Sequence, residues 1–257
     1  MQISVINHTA IADAELQRVL RAVNRQIESD FAPYWSLSAN LRLEGRSGKT
    51  PSKQNLADMR GDAVLYLWDE VDVDDALGYH DLNFRGIPYG FVFTQLAKKL
   101  GEHWSVTLSH EALEMIGDPD VNLLVMGRHP SEPGRDVFHW YEMCDAVQAE
   151  TYEIDGVQLS NFVLPLYFTG GEEAGSRNDF LGAKHKNGRL ASFGVNPGGY
   201  VGFFDPQTRD METFEADALA KKRRAEKLKA GKARRGVRYA RFQTDPPSLA
   251  TRRRAKR

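Results

Sequence analysis

Apolar residues along the chain gather in short runs and helical stripes, separated by Gly-, Pro- and Asp-rich breaks. Ile3-Ser-Val-Ile-Asn reads as a strand of β-branched residues. From Asp13 to Asp30, the residues Leu16, Val19, Leu20, Val23 and Ile27 recur at helical spacing. Pro33 is expected to end that helix because it has no N–H to give to the helical ladder. Tyr34 to Leu43 then alternates as a half-buried strand should, and residues 45–61 read as a loop. Ala63-Val-Leu-Tyr-Leu-Trp is apolar on both faces, which predicts a central strand. Gly90-Phe-Val-Phe follows a Gly/Pro turn and is expected at a sheet edge.

A second helical stripe runs from Ser105 to Ile116. Leu108, Ala112, Met115 and Ile116 face a core, Ser105 stands as a cap, and Gly117 with Asp118-Pro119 supplies a stop. The other face of this helix carries His110 and Glu114. Val137 to Val147 has helical spacing as well. Thr151–Ile154 and residues 157–166 read as strands around an Asp155-Gly156 turn. Thr169 to Gly199 is Gly-, Ser- and Asn-rich and predicts loops, and residues 215–235 form a charged helix with little apolar face. These elements predict an α+β body over residues 1–210 and a helical to disordered C-terminal arm over 211–257.

Charge sharpens that division. Residues 221–257 hold 16 Lys/Arg against Glu226 and Asp245, a net of +14, so the preceding 220 residues carry a net of -15. An acidic body with a basic arm is expected, the arm being suited to non-specific binding of nucleic acid or of an acidic protein surface. A body of this length needs neither disulfide nor metal to hold its core, so a bound metal would point to chemistry. The single cysteine, Cys144, excludes an intramolecular disulfide and a Cys-only zinc cluster. No run approaches 18 apolar residues and the N-terminus does not resemble a signal peptide, so a cytoplasmic or virion location without membrane contact is expected.

The candidate chemistry lies in His110-Glu111-Ala112-Leu113-Glu114, an HExxE pattern that chance supplies about 0.03 times in a chain of this composition. Residues four apart sit one helical turn above each other, so His110 and Glu114 can converge on one ion while Glu111 is offset toward a water. Two side chains then hold a Lewis acid and a carboxylate takes the proton of the activated water, the division of labour of metal-assisted hydrolysis. The other reading of the same face is a solvated helix in which His110 and Glu114 bond to each other.

The HExxE helix, the Gly78-Tyr-His-Asp segment, Gly90-Phe-Val-Phe and the downstream Glu142-Met-Cys-Asp together resemble a zincin-type metalloprotease domain. More narrowly, Leu108-Ser-His-Glu-Ala-Leu-Glu-Met-Ile-Gly-Asp-Pro with Glu142-Met-Cys-Asp and Gly156-Val-Gln-Leu-Ser-Asn-Phe is similar to uncharacterised phage and bacterial proteins of that superfamily. The resemblance implies a mixed sheet whose edge strand, expected at Gly90–Phe93, binds an extended peptide or protein substrate by strand addition. It implies His110, Glu114 and Glu142 as metal ligands, Glu111 as general base and Asp145 as a supporting partner one turn beyond Glu142. Asp120 is the alternative third ligand, since His110, Glu114, Gly117 and Asp120 match the spacing of another zincin branch apart from Glu114. Glutamate at the position of the usual second histidine makes a harder site, so zinc leads with manganese or calcium as alternatives. His139 is a spare ligand, and His80 is expected as a hydrogen-bonded surface residue beside Asp81. Cys144 is expected to be a buried apolar residue. Two functions are in view, a metal-dependent peptidase or peptidase-like hydrolase, and a non-enzymatic phage structural or assembly protein that keeps the scaffold and uses its basic tail on nucleic acid.

Overall fold

The N-terminal strand forms where its β-branched residues predict it. Gln2–His8 is β1, with Ile3, Val5 and Ile6 fully buried, and Asp13–Arg25 is helix α1, with Leu16, Val19, Leu20 and Val23 on its inner face. The computed structural model describes residues 1–44, 61–69, 78–83, 86–173 and 176–228. Pro33 does not end the helix. Gln26–Phe31 continues as a wide π-type turn, and Ala32–Trp35 follows as helix α2 with Pro33 in its first turn, where a missing N–H costs little. The helical path stops at Ser36, which takes a left-handed backbone at φ 53°. Trp35 is therefore helical. Its indole N–H donates to the Val163 carbonyl at 3.0 Å and its ring stacks on Phe31. The strand expected from Tyr34 shortens to β2, Asn40–Glu44.

Ala63–Trp68 is β3 and lies centrally, as its two apolar faces require. Gly78–Leu82 is β4 and Pro88–Phe93 is β5. The five strands run in the order β2-β1-β3-β5-β4, parallel except for β4, which is antiparallel to β5. Among the described residues the edge on this side is thus β4 and not Gly90–Phe93. All six residues of β5 are buried, because a strand flanks it on each side.

Helix α3, Thr94–Lys99, leads into α4, Trp104–Gly117, which carries the HExxE pattern. The N-terminal cap of α4 is His103, whose Nδ1 accepts the Ser105 N–H, while the Ser105 hydroxyl donates to the Gln158 carbonyl at 2.6 Å. Beyond α4 come β6 (Leu124–Arg128), β7 (Asp136–Trp140), β8 (Thr151–Ile154), β9 (Val157–Ser160), β10 (Tyr200–Asp205) and β11 (Asp210–Glu215). A four-stranded antiparallel sheet has the order β11-β10-β7-β6, and β8 pairs with β9 through a turn in which Asp155 and Gly156 both have positive φ. Helix α4 packs on β4, β5 and β9. The Ser109 hydroxyl accepts the Ser160 N–H at 2.8 Å, which ties the middle of the helix to β9.

The chain is a mixed α+β protein. The helix expected over 137–147 is instead β7, a connecting loop and a 3-10 turn at Asp145–Val147. Its apolar spacing arises because Val137, Trp140, Cys144 and Val147 are each buried by tertiary neighbours. β11 crosses the boundary expected at residue 210, and Ala218–Leu228 forms α5 against it. The remainder of the basic arm, residues 229–257, lies outside the described residues. No helix among the described residues is long and apolar enough to cross a membrane.

His139, the spare ligand of the sequence, belongs to β7. Its ring lies 4.8 Å from Phe193 and 5.8 Å from Phe203, with Nε2 2.9 Å from the Arg128 carbonyl oxygen. Burial holds its pKa below the ordinary 6.5, against the raising pull of that carbonyl. The folded protein therefore binds fewer protons here than the unfolded chain. This contribution to stability should be present above pH 6.5 and be lost as pH falls from there through the folded value. Urea unfolding between about pH 7.5 and about pH 5 should show a decline that is shallower in His139→Gln; equal slopes would remove His139 as its source.

Candidate metal centre

Three parts of the fold meet over the C-terminal half of the buried HExxE helix. α4 supplies His110, Glu111 and Glu114, β4 supplies His80, and the loop after β7 supplies Glu142, Cys144 and Asp145. The 3.6-residue period places His110 and Glu114 one turn apart, with His110 Nε2 3.2 Å from Glu114 Oε1. The same nitrogen is 3.3 Å from Asp145 Oδ1. Asp145 thus lies against His110, one of the anticipated ligands, and reaches it from a 3-10 turn in place of the helix expected over 137–147. Glu114 is only 1% exposed, and its Oε1 accepts the Cys144 N–H at 3.2 Å.

Toward β4, His80 Nδ1 lies 3.5 Å from Glu111 Oε2. His80 is 1% exposed, so the surface position expected for it is wrong; β4 turns its ring inward onto the helix. The backbone of Gly78 makes this approach possible. A Cβ there would come within 2.8 Å of Glu111 Cγ and Thr107 Cγ2 and within 2.7 Å of the Phe91 carbonyl oxygen. Gly117 plays a similar part at the end of α4, where the terminal methyl of fully buried Met143 occupies the space a side chain would need.

Two sets of donor atoms result, each mutually within 4.8 Å. One is His80, Glu114 and Glu142; the other is His110, Glu114 and Cys144. The ligands anticipated from the sequence, His110, Glu114 and Glu142, are therefore brought together around Glu114 but divided between the two sets. Asp120 is exposed in the turn after α4 and belongs to neither. Asp118 is the buried acid of that turn. It accepts the N–H groups of Asn122 and Leu123 at 3.2 and 3.0 Å, the turn chemistry that Asp-Pro-Asp suggests.

The charges of the cluster are strongly coupled. Burial, with the nearby Glu142 and Asp145, pushes the Glu114 carboxyl well above the ordinary carboxylate range, against the lowering pull of His110. Burial opposes a charged His110, yet Glu114 and Asp145 outweigh it and raise its pKa well above 6.5. Burial, then Glu114 and Asp145, also push the Cys144 thiol up, and its S–H donates to the His110 carbonyl at 3.8 Å. The thiol is thus no nucleophile. Raised proton affinity at His110, Glu114 and Cys144 thus follows from burial among neighbouring carboxylates.

The chain matches no family model, no curated protein and no solved structure. The reading of this centre rests on its own residues. His80 was discounted in the sequence because it stands beside Asp81 in a short polar segment. The signal available was Gly78 two residues earlier, a glycine in a strand where a backbone closely approaches its neighbour.

Proposed function

We propose that the chain is a zincin-like, metal-dependent hydrolase of peptide bonds, with a divalent-cation centre built around Glu114. The observation that carries this reading is that Glu114, the last residue of HExxE, is shared by two sets of His, Glu and Cys donors drawn from three separate elements. Imidazole nitrogens mixed with carboxylate oxygens suit zinc or manganese, and the two histidines argue against calcium, which takes oxygen ligands. Glu114, with His110, His80 and Glu142, would hold the ion. When bound, it would supply a Lewis acid to polarise a carbonyl group.

The remaining steps belong to the protein. Glu111, buried beside His80, is placed to take a proton from an attacking water and pass it to the leaving amine. Asp145 and Glu114 both face His110 Nε2 and together would hold on it the proton that a bound ion replaces. An extended peptide would lie along β4, the antiparallel edge strand, whose inner face delivers His80 to the centre. A mixed sheet with an antiparallel edge strand over the HExxE helix supports the likeness to zincins.

Glu111→Gln is the test. It should keep metal content unchanged and lower hydrolysis of a generic protein substrate such as casein by at least about 10²-fold, the lower end for a general base. Activity equal to wild type would remove Glu111 from the mechanism. Metal retained with no hydrolysis by either protein would favour the scaffold reading over the enzyme.

A further inference from the structure

The two donor sets overlap in one residue only, and that overlap bears on how many ions the centre takes. Ligand atoms on a single zinc-like ion sit about 2.0–2.3 Å from it, so no two of them can be more than about 4.6 Å apart. His80 and Glu142 form one set with Glu114, and His110 and Cys144 form another, each with its donor atoms within 4.8 Å of one another, a span of that order. His110 shares no set with His80 or Glu142. A carboxylate has two oxygens, so Glu114 can serve both sides at once.

We propose that the centre takes two divalent ions, one held by His80, Glu114 and Glu142 and the other by His110, Glu114 and Cys144. This rests on the metal-centre reading above and goes beyond it in stoichiometry and in assigning Cys144 a ligand role. On binding, the thiol proton leaves to solvent and the sulfur coordinates as thiolate; a divalent ion deprotonates a coordinating thiol outright. Charge supports two ions. With the Cys144 thiolate, Glu111, Glu114, Glu142 and Asp145 give the centre five negative charges, of which one divalent ion offsets two and two ions offset four. The chemistry of the two sides also differs. Cys144 adds a soft sulfur to the His110 side, whereas the His80 side offers only nitrogen and oxygen, so zinc or cobalt should fill the first and manganese should compete for the second.

The experiment is metal stoichiometry and cobalt spectroscopy on the full chain. Stripped protein titrated with zinc and analysed by inductively coupled plasma spectrometry should saturate at two ions per chain in wild type and at one in His80→Ala and in Cys144→Ser. Cobalt-loaded wild type should show a thiolate-to-cobalt charge-transfer band in the near ultraviolet that Cys144→Ser loses. Saturation of wild type at one ion overturns the two-ion proposal and leaves the metal-centre reading standing, whereas no saturable ion overturns both. Two cobalt ions without the charge-transfer band overturn the place of Cys144. The wild-type titration decides the stoichiometry even where a variant fails to fold.

Discussion

Glu114→Gln is expected to strip the protein of tightly bound metal and leave it folded. Glu114 is the one residue common to both donor sets, so its loss weakens both, whereas His80→Ala or His110→Ala touches one. The amide is nearly isosteric and still offers an oxygen to the Cys144 N–H, so the buried hydrogen bond at 3.2 Å survives. What disappears is the anionic ligand. Affinity should fall by more than the roughly 10- to 100-fold typical of residues that only orient ligands. Competition against a chelator measures it, and full retention of metal by Glu114→Gln would sink the centre as described. The same variant carries a linked effect on the stripped protein. Because burial raises the Glu114 pKa in the fold, the folded state binds its proton more tightly than the unfolded chain does. That contribution is complete below the ordinary 4.5 and is lost as pH rises through the folded value. Glutamine stays neutral, so stripped Glu114→Gln should lose less stability on going from acid to neutral pH than stripped wild type.

Gly78→Val should weaken both stability and metal binding without altering a ligand. The new side chain would be driven into the Phe91 carbonyl and into Glu111 and Thr107 of α4, and a backbone carbonyl cannot swing aside as a side-chain end can. Overpacking of this kind costs about 1–3 kcal/mol, or several degrees in a domain of this size. Relief comes by lifting β4 from the helix, which carries His80 away from Glu111 and Glu114. Metal affinity should therefore fall together with the melting temperature. Gly171→Ala is the control, since its added methyl meets nothing nearer than 3.4 Å. Loss of stability with metal affinity intact would show that His80 does not need β4 seated on α4.

Much of the fold can be read from local pattern where one periodicity has one cause. β3 is apolar on both faces, and Ala63 to Leu67 are all buried. α1 shows a helical stripe because one side of it is buried, whereas α4 is buried almost all round and its stripe marks only part of what it covers. Pattern misleads where burial comes from several directions. The 3-4-3 spacing of Val137, Trp140, Cys144 and Val147 imitates a helix although each residue enters the core from a different piece of backbone. β11, Asp-Met-Glu-Thr-Phe-Glu, is too polar to announce a strand and is held by its pairing with β10. The pairing partner of a strand is a long-range property, so the edge fell at β4 and not at the Gly/Pro-flanked β5. In the centre, HExxE is legible because both halves share one helix. His80 and Cys144 reach it from distant segments, and only the folded chain shows that they face the same glutamate.

The wide turn at Gln26–Phe31 fixes how the chain may be edited. Each residue of an α-helix advances the side chains by about 100°, and a π-type turn absorbs one residue without that rotation. Gln26, inside this turn, donates from its amide to the Ser160 carbonyl at 2.8 Å, and Ser160 in turn gives its N–H to Ser109 on α4. Phe31, which closes the turn, and Trp35 beyond it pack on Phe162 and Phe168. Removing one residue between Glu28 and Asp30 should therefore restore an even helix with those two rings still facing their aromatic neighbours, while Gln26 keeps its hold on β9. The segment works as a phase keeper: a residue can be lost inside it with the flanks in register, whereas the same deletion within α1 would turn everything beyond it by about 100°.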